Sequence, residues 1–470
     1  MGHSGLTISS GSSCLSISGS VTYAYTWGDW STNRFLAPDL AADAETANSA
    51  MSLDDGLTVI GAGSANGESH DWRSRRETLL RVGSTSSSDF GTMQGVIELK
   101  SVEDWQSKNG GARTPGIDAT GGSADNNGAL VINQAYVSIG DTTVLSAGKK
   151  NTIAPRGDDE PFNFLGLINA MSPRPEVQGF GVYFRNYAGQ TMPLGGDSVS
   201  IVSDFGNGWS AGAAVENLDA QTSYGGVAAG VDAAGTAIGF VAYRDQTVSA
   251  HATVFAGGVL DGIVENWGLH TGITGNFGPV RMRAALAADD TGYWNGLVSA
   301  EDRYDMFVLA ASAEATSGDP DVSGDEEYGF GGSASTNFGD VLVNGGFRWF
   351  DTDASKPDTE TYQIALQASM PVSEALRLSG EVGYYGGAAS LTDGMVTVLG
   401  SGIADPYVGL GLTWSAGAPA FGAPPAAPGG GAAGPVGPPP GGGGFLLSTR
   451  GEFYTSGAFR TTFLLSKNFN

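Results

Sequence analysis

Four basic side chains stand at positions that would share one face of two neighbouring β-strands. They are Arg73, Arg75, Arg81 and Lys100. Successive side chains of a strand point to opposite faces, so the three arginines would oppose Leu80 and Val82, and Arg76 would fall on the apolar side. Lys100 joins the basic face if Ile97 points the other way. Such a wall, facing water inside a low-dielectric shell, would act on passing ions with little screening.

A run of carboxylates could face these bases across an aqueous space. The segment 151–196 carries four acidic residues, namely Asp158, Asp159, Glu160 and Glu176, and it is long enough to fold inward. Arginines in the same segment prevent it from being purely acidic. Together, the two sets predict a transverse field that orients dipolar solutes and penalises apolar ones.

A second acidic segment, GDPDVSGDEE, has the alternating spacing of a calcium loop. Its candidate ligands are Asp319, Asp321 and Asp325. The twelfth position, where a calcium loop carries a bidentate glutamate, is Phe330 instead, so a solvated acidic loop is the competing interpretation. Calcium is thus the one ion with a candidate site, and no other cofactor is expected.

The composition favours one large β-architecture. The chain has 470 residues, of which 74 are glycine and only 15% are charged, and its mean hydropathy is -0.07. Glycine, serine, threonine and asparagine dilute the helix formers throughout, which predicts an all-β chain. The net charge of -26 argues against a nucleic-acid partner, because phosphates repel an acidic surface.

Alternation at the two ends of the chain predicts a closed sheet. From Leu15 to Trp27 the odd positions are largely apolar and the even positions are serine, threonine or alanine, and the last strand, ending near Phe469, alternates in the same way. The sequence contains no run of about 18 uncharged apolar residues without glycine or proline, so no transmembrane helix is predicted. A barrel needs only every second residue to be apolar, because its backbone is satisfied between strands.

Short turns alternate with long connections. Seven tight turns are expected, near residues 85–89, 140–141, 206–208, 245–246, 278–279, 339 and 373–374. This pattern is typical of an outer-membrane barrel and predicts sixteen antiparallel strands in one domain spanning 14–470. Two strand-like pieces, 304–316 and 406–414, are assigned to outer loops. If both cross the membrane instead, the barrel has eighteen strands.

Two segments stand outside the predicted strands. Residues 415–444 are rich in proline and glycine and carry no charge, which predicts a mobile extracellular loop. Residues 1–13 lack a basic stretch followed by an apolar one, so either a signal peptide has been removed or the first residues are foreign to the natural chain.

Signatures of catalysis are not evident. The four histidines, His3, His70, His251 and His270, show no metal-ligand spacing in the sequence. SAGKK at 146–150 lacks the flanking residues of a phosphate loop. The chain has a single cysteine, Cys14, which excludes an intrachain disulfide. We therefore do not expect an enzyme.

Four stretches resemble the general porins of Gram-negative outer membranes, most closely the alphaproteobacterial branch. They are CLSISGSVTYAY, NQAYVSIGDTTVLSAGKK, DFGNGWSAGAAVE and the terminal FRTTFLLSKNF. The resemblance implies a sixteen-stranded homotrimeric barrel in the outer membrane, in contact with lipopolysaccharide, with a third loop that narrows the lumen. It also implies a terminal aromatic residue read by the barrel-assembly machinery, a role that Phe469 fits although Asn470 follows it. A second cysteine often found in such sequences is absent.

The function implied is a water-filled channel for passive diffusion of small hydrophilic solutes and ions. One alternative is a substrate-specific channel with a solute track formed by aromatic residues such as Tyr183, Phe184 or Tyr187. The other is a secreted calcium-binding adhesin or surface-layer protein built of β-sandwich repeats. Against it, the sequence shows no repeat of fixed period.

Overall fold

The computed structural model of the chain describes residues 6–10, 13–28, 51–52, 58–59, 71–107, 114–115, 128–155, 161–162, 195–218, 235–262, 264, 266–317, 327–351, 360–373, 376–387, 403–416, 445–454 and 459–469. In chain order the strands of this part are β1 (Leu6–Ser10), β2 (Ser13–Gly28), β3 (Met51–Ser52), β4 (Thr58–Val59), β5 (Asp71–Ser88), β6 (Gly91–Ser107), β7 (Thr114–Pro115), β8 (Leu130–Gly140), β9 (Thr143–Lys150), β10 (Gly196–Gly206), β11 (Trp209–Glu216), β12 (Thr236–Arg244), β13 (Val248–Gly257), β14 (Asn266–Phe277), β15 (Val280–Asp289), β16 (Trp294–Tyr304), β17 (Phe307–Thr316), β18 (Glu327–Phe338), β19 (Val341–Asp351), β20 (Glu360–Pro371), β21 (Leu376–Gly387), β22 (Ile403–Ala416), β23 (Phe445–Tyr454) and β24 (Phe459–Phe469).

The sheet closes on itself. Among the described residues, twenty long strands pair antiparallel with their neighbours in sequence, and β2 pairs with both β5 and β24. The last paired residue of β24, Phe469, lies opposite Gly19. The extra strand β1 continues the ladder beyond that point, with Leu6 opposite Ile17. The predicted all-β antiparallel barrel is therefore confirmed, and β1 places part of the 1–13 segment in the sheet.

Short elements outside the ring are few in the described ranges. Strand β7 adds two residues to the edge of β6, and β3 pairs with β4 in a separate ribbon. In the described part of the chain, a 3₁₀ turn spans Val259–Asp261. No helix in the described portion is both long and apolar enough to cross a membrane.

The polarity of the barrel is the reverse of that of a soluble domain. Ile364 and Leu366 of β20 are 56% and 53% exposed, whereas Gln367, on the opposite face, is 6% exposed. The same division recurs on β11, β13 and β21, where Glu216, Thr253 and Glu381 are almost fully buried. Large apolar side chains thus cover the outside, and the polar groups lie within the ring.

The connections divide the barrel into two ends. One end, which we call the turn rim, carries the connections 89–90, 141–142, 207–208, 245–247, 278–279, 305–306, 339–340 and 372–375. At the other end, the loop rim, lie longer connections such as 29–70 and 151–195. The turn at Gly206, Asn207 and Gly208 has three successive positive φ values, of 75°, 52° and 86°, a conformation that glycine and asparagine adopt most readily.

The expected count of sixteen strands, or eighteen, is wrong for the described chain. Strands β16, β17, β22 and β23 supply the other four. The turn between β16 and β17 contains no glycine or proline, and Asp305 takes the left-handed conformation with φ of 54°. Strand β23 follows the Pro/Gly-rich segment and alternates weakly, so sequence periodicity did not separate it from that segment.

The Pro/Gly-rich segment is attached at the end opposite to the one expected. Trp414, near the end of β22, lies opposite Leu376, which directly follows the turn 372–375. Phe445, at the start of β23, lies opposite Lys467 near the end of β24. Both flanks of 417–444 therefore lie at the turn rim, because β22 crosses from the loop rim to the turn rim before this connection and β23 crosses back after it.

Neighbouring turns are joined by a hydrogen-bonded contact. Asp141, in the turn between β8 and β9, accepts hydrogen bonds from the backbone N–H of Thr92 at 3.0 Å and from its Oγ1 at 2.9 Å. Both bonds favour the ionised carboxylate, led by the backbone one, and they hold the pKa of Asp141 below its ordinary value. This contact links two hairpins at the turn rim.

Candidate functional site

Basic and acidic side chains alternate along the inner faces of β5 and β6. Arg73 donates two hydrogen bonds from Nε to the carboxylate of Asp104, at 2.9 and 3.1 Å, and its Nη2 contacts the same group. Arg75 lies 3.6 Å from Asp104 and 3.6 Å from Glu77. The guanidinium groups therefore form a network with carboxylates of their own wall.

The network continues toward the turn rim. Lys100 Nζ lies 3.5 Å from Glu77 Oε1, and Arg81 Nη1 lies 3.4 Å from Glu98 Oε2. Glu98 also accepts a hydrogen bond from Gln134 Nε2 at 3.2 Å. We call the basic residues Arg73, Arg75, Arg81 and Lys100, together with Glu77, Glu98 and Asp104, the charge ladder.

Burial separates two carboxylates of the charge ladder from their basic partners. The side chains of Asp104 and Glu98 are 3% and 7% exposed, whereas those of Arg73 and Arg81 are 39% and 38% exposed. Asp104 and Glu98 therefore lie behind the guanidinium groups, which face the lumen, whereas Glu77 is 35% exposed. The acidic partners share the parity of Lys100 on β6, so alternation could have found them, but the sequence interpretation considered only the bases.

Arg76 points away from the charge ladder, onto the outer face. Its Nη2 lies 2.6 Å from Glu103 Oε1, and the two side chains are 51% and 36% exposed. Tyr25 and Trp27 of β2 are also exposed on the outside of the barrel near this end. An outward ion pair beside aromatic residues is the arrangement found where a barrel surface passes from hydrocarbon to head groups.

One buried carboxylate holds both ends of the connection between β9 and β10. Glu216, the last residue of β11, is 1% exposed. Its Oε1 accepts a hydrogen bond of 2.9 Å from the backbone N–H of Ile153, and its Oε2 accepts one of 2.6 Å from that of Gly195. The sequence interpretation did not single out Glu216, because a terminal strand residue gives no signal of such a contact.

Two further contacts bring this connection onto the inner wall. Ala154 packs with Ile238 of β12 and Phe255 of β13, and Ile153 lies against the same cluster. The backbone N–H of Phe162 donates a hydrogen bond of 2.9 Å to Ser299 Oγ on β16. The described parts of segment 151–196, which was predicted to be the constriction loop, therefore lie inside the barrel, against strands well removed from β9.

Two arginines flank the Phe162 ring. The Cζ atoms of Arg281 and Arg283 on β15 each lie 4.5 Å from the ring centroid. Phe162 is 8% exposed, so these cation–π contacts form away from bulk water, where they are strongest. Arg281 and Arg283 are two residues apart on β15 and therefore share its inner face, from which both contact the inward connection.

A chain of polar groups lines the wall from β18 to β21. Ser335 Oγ donates to Asn344 Oδ1 at 2.8 Å, Asn344 Nδ2 lies 3.5 Å from Gln367 Oε1, and Gln367 Nε2 donates to Glu381 Oε2 at 3.0 Å. Arg377 Nη1 donates to Ser369 Oγ at 3.1 Å on the same wall. The inner wall of the barrel thus carries both amide and charged side chains.

The remaining predicted site residues lie outside the described part of the chain. The carboxylates Asp158, Asp159 and Glu160, with Glu176, the calcium candidates Asp319, Asp321 and Asp325, and the aromatic positions Tyr183, Phe184 and Tyr187 all lie outside the described residues. Among the residues that are described, no group of three or more His, Cys, Asp and Glu side chains is arranged to hold a metal ion.

No family model matches the sequence, and no curated protein matches it significantly. Among solved structures, the chain is similar to an anion-selective porin from Comamonas acidovorans, with 13% identity, a TM-score of 0.37 and coverage of 97% of this chain and 99% of that one. It is also similar to OccAB4 of Acinetobacter baumannii, with 8% identity, a TM-score of 0.41 and coverage of 96% and 97%. For the Salmonella typhi OmpF complex with daunomycin, the identity is 11%, the TM-score 0.32 and the coverage 99% and 100%. Similarity at this level carries no argument about function, which has to be inferred from the residues of the chain itself.

Proposed function

We propose that the chain is a porin of the Gram-negative outer membrane that forms a water-filled channel for passive diffusion of small hydrophilic solutes and ions. The observation that carries this proposal is the inverted polarity of a closed barrel. Exposed residues such as Ile364 and Leu366 require hydrocarbon, whereas buried Gln367 and Glu381 require polar partners or water within the ring.

In a soluble protein, the apolar face of each strand would be buried and the polar face would be exposed. The adhesin alternative expects β-sandwich repeats whose apolar faces pack on a second protein layer. Ile364 and Leu366 are instead more than half exposed, on a single closed ring. Closure also leaves every strand of the ring paired on both sides, which is the condition for crossing a bilayer with strands.

The inward connection after β9 supports a narrowed channel. Glu216 fixes its two ends, and Phe162 is docked on β15 and β16. A segment held at both ends and at one interior point reduces the cross-section available to solutes. Passage by size is therefore part of the proposal, and no chemical step is assigned to the channel.

The charge ladder supports a preference for anions along its own wall. Its bases outnumber its acids, and the bases lie nearer to the lumen than Asp104 and Glu98 do. Charges beside a low-dielectric wall act on ions over several ångströms. We propose that Arg75 and Arg81 form the basic side of the constriction, and that Asp158, Asp159, Glu160 and Glu176 form its acidic side.

A substrate-specific channel is the second candidate. The chain of hydrogen bonds through Asn344, Gln367 and Glu381 fixes a polar stretch of wall from β19 to β21, along which a hydroxylated solute could pass. Saturable block of the ion current by one sugar or amino acid would favour this function over general diffusion.

Partners belong to the proposal as well. We propose a homotrimer, contact with lipopolysaccharide at the loop rim, and recognition of Phe469 by the barrel-assembly machinery. The outward Arg76–Glu103 pair, with Arg76 half exposed, supports a charged contact with lipid head groups. Calcium held by Asp319, Asp321 and Asp325 would add a bridge to lipopolysaccharide phosphates.

Conductance in a planar bilayer tests the proposed function. The purified protein should insert in steps and give a stable ohmic current, and Glu216→Ala should raise the unit conductance because both ends of the inward connection lose their acceptor. Asp204→Asn is the matched control, since Asp204 accepts a backbone hydrogen bond at the turn rim, from Gly206 at 2.8 Å. Folded protein that gives no current in any bilayer would contradict the proposal.

A further inference from the structure

Two histidines meet on the lumen wall between β13 and β14. His251 opposes Gly272 in the register and His270 opposes Thr253, so the two imidazoles are diagonal neighbours on one face. Outward-facing positions on the same strands are exposed and apolar, as Val254 shows at 56% exposure. Both histidines therefore face inward from the two strands of one hairpin, although they are 19 residues apart in the sequence.

The ring nitrogens of the two histidines are close and face each other. His251 Nε2 lies 3.1 Å from His270 Nδ1, and the ring centroids are 4.9 Å apart. The main chain of His251 is fixed by a hydrogen bond of 2.8 Å from Thr271 Oγ1 to its carbonyl. One nitrogen of such a pair donates and the other presents a lone pair, so both nitrogens can turn their lone pairs to a shared cation when the proton leaves.

The spacing of the nitrogens matches that of two ligands on one metal ion. Zinc binds imidazole nitrogen at about 2.0–2.1 Å, and two such bonds at a tetrahedral or square angle place the nitrogens roughly 3 Å apart. The observed 3.1 Å falls at this value without rearrangement of the backbone.

We propose that His251 and His270 form a two-ligand site for a divalent transition-metal ion, of the class of nickel, copper or zinc, on the wall of the lumen. Imidazole selects these ions over magnesium and calcium, which prefer oxygen ligands. Within the described part of the chain, no third His, Cys, Asp or Glu side chain joins the two histidines, so water would complete the coordination of the ion.

The surroundings of the pair reinforce this selectivity. The residues that pair directly with the two histidines in the sheet are uncharged, namely Ala242, Thr253, Gly272 and Ala287. None of these supplies a carboxylate for a hard cation. His270 is 2% exposed and His251 is partly exposed, so an ion reaches the site from the side of His251.

A bound ion would change transport through the channel. It would add two positive charges to the wall at β13 and β14, in the same part of the barrel as Phe255, which packs against the inward connection. Raised positive charge at a low-dielectric wall lowers the local concentration of cations. This consequence for the current rests on the proposed function, whereas metal binding itself does not.

Equilibrium dialysis of nickel against the folded protein in detergent tests the site directly. We expect one bound nickel per chain, and a loss of affinity of at least about tenfold in His251→Ala and in His270→Ala, in line with the sensitivity of metal sites to single substitutions. The double variant His3→Ala/His70→Ala removes the remaining histidines and should retain the ion. Equal affinity in all variants, or loss in the His3/His70 variant alone, would overturn the proposal.

Bilayer recordings separate the site from its effect on transport. Micromolar nickel should reduce the cation current of the wild type reversibly, a chelator should restore it, and magnesium at the same concentration should leave it unchanged. His251→Ala, the change at the more exposed position, should abolish the response, and heat-modifiable migration establishes that this variant is folded. Nickel block that persists in folded His251→Ala would place the ion elsewhere, even if the chain proves to be a channel.

Discussion

The backbone N–H of Phe162 donates a hydrogen bond of 2.9 Å to Ser299 Oγ, joining residues 137 apart in the sequence inside the barrel. Ser299 in turn donates to the Ala311 carbonyl at 3.0 Å, so the acceptor is itself fixed to the neighbouring strand. The inward connection is thereby held to a rigid wall. Its position depends on β15 and β16 as much as on its own residues.

Phe162→Ala should weaken the docking of the inward connection and widen the channel, although the backbone N–H of residue 162 can still donate to Ser299. The substitution removes the ring from between Arg281 and Arg283, and with it cation–π interactions of about 2 kcal/mol or more for desolvated pairs. We expect a higher unit conductance and a larger size limit for sugars in liposome swelling. Phe90→Ala, at a turn residue that is 82% exposed, is the matched control and should leave both quantities unchanged. An unaltered size limit in Phe162→Ala would show that the docked segment does not set the constriction.

The charge ladder predicts opposite changes in ion selectivity for the two members of one pair. Arg81→Gln leaves the Glu98 carboxylate uncompensated and should shift the reversal potential toward cations. Glu98→Gln leaves Arg81 uncompensated and should shift it toward anions. Reversal potentials measured across a salt gradient check both signs.

The double variant Arg81→Gln/Glu98→Gln gives a third measurement. Because the two groups neutralise each other at 3.4 Å, the double variant should lie near the wild type, between the two single variants. Single variants that both shift in the same direction would mean that this pair lies outside the conducting path.

Alternation along β5 predicted the face of each side chain in this region. The structure places Arg81 inside and Leu80 outside, at 42% exposure, because a strand in a closed barrel has only two faces. The contact between Phe162 and Ser299 could not be predicted in this way, since periodicity within a strand does not report which distant strand a loop meets. The hairpin of β16 and β17 was missed for a local reason, namely a turn at Asp305 without glycine or proline.

The pairing of bases with acids shows another limit of sequence reasoning. Glu98 and Asp104 share the parity of Lys100, so their inward orientation was available from the sequence. The register that brings Arg81 opposite Glu98 and Arg75 opposite Asp104 was not, because the length of the turn between β5 and β6 sets it. Register, rather than face, therefore converted an expected basic cluster into a compensated network.

The turn contact at Asp141 predicts a dependence of stability on pH. Hydrogen bonds from Thr92 lower the pKa of this carboxylate in the folded state. Its contribution to stability is therefore present above the unfolded pKa of about 3.9 and is lost as the pH falls through the lower folded value. Asp141→Asn should unfold at lower urea concentration than the wild type at pH 7, and the difference should shrink in acid.

A partner substitution separates this titration from a loss of packing. Thr92→Val removes the Oγ1 donor and keeps the backbone one, so it should show part of the pH-dependent loss. Urea midpoints of the two variants at neutral and acid pH provide the comparison. A destabilisation by Asp141→Asn that is equal at both pH values would rule out the carboxylate as its source.

Neighbouring positions on β20 test the membrane placement of the barrel. Leu366 is 53% exposed on the outer face, and Gln367 is 6% exposed on the inner face. Arginine on a lipid-facing strand costs about 2–4 kcal/mol at the bilayer midplane, whereas changes in the lumen alter selectivity. Leu366→Arg should therefore reduce the free energy of unfolding in lipid vesicles markedly. Leu366→Gln is a milder variant with a smaller expected loss, which keeps the measurement possible if the arginine variant does not fold.

Because Gln367 Nε2 donates to Glu381, Gln367→Arg retains a donor for that carboxylate and should mainly shift the reversal potential. Equal destabilisation by arginine at 366 and 367 would mean that the outer face does not contact hydrocarbon, and the proposed location in the outer membrane would then fail.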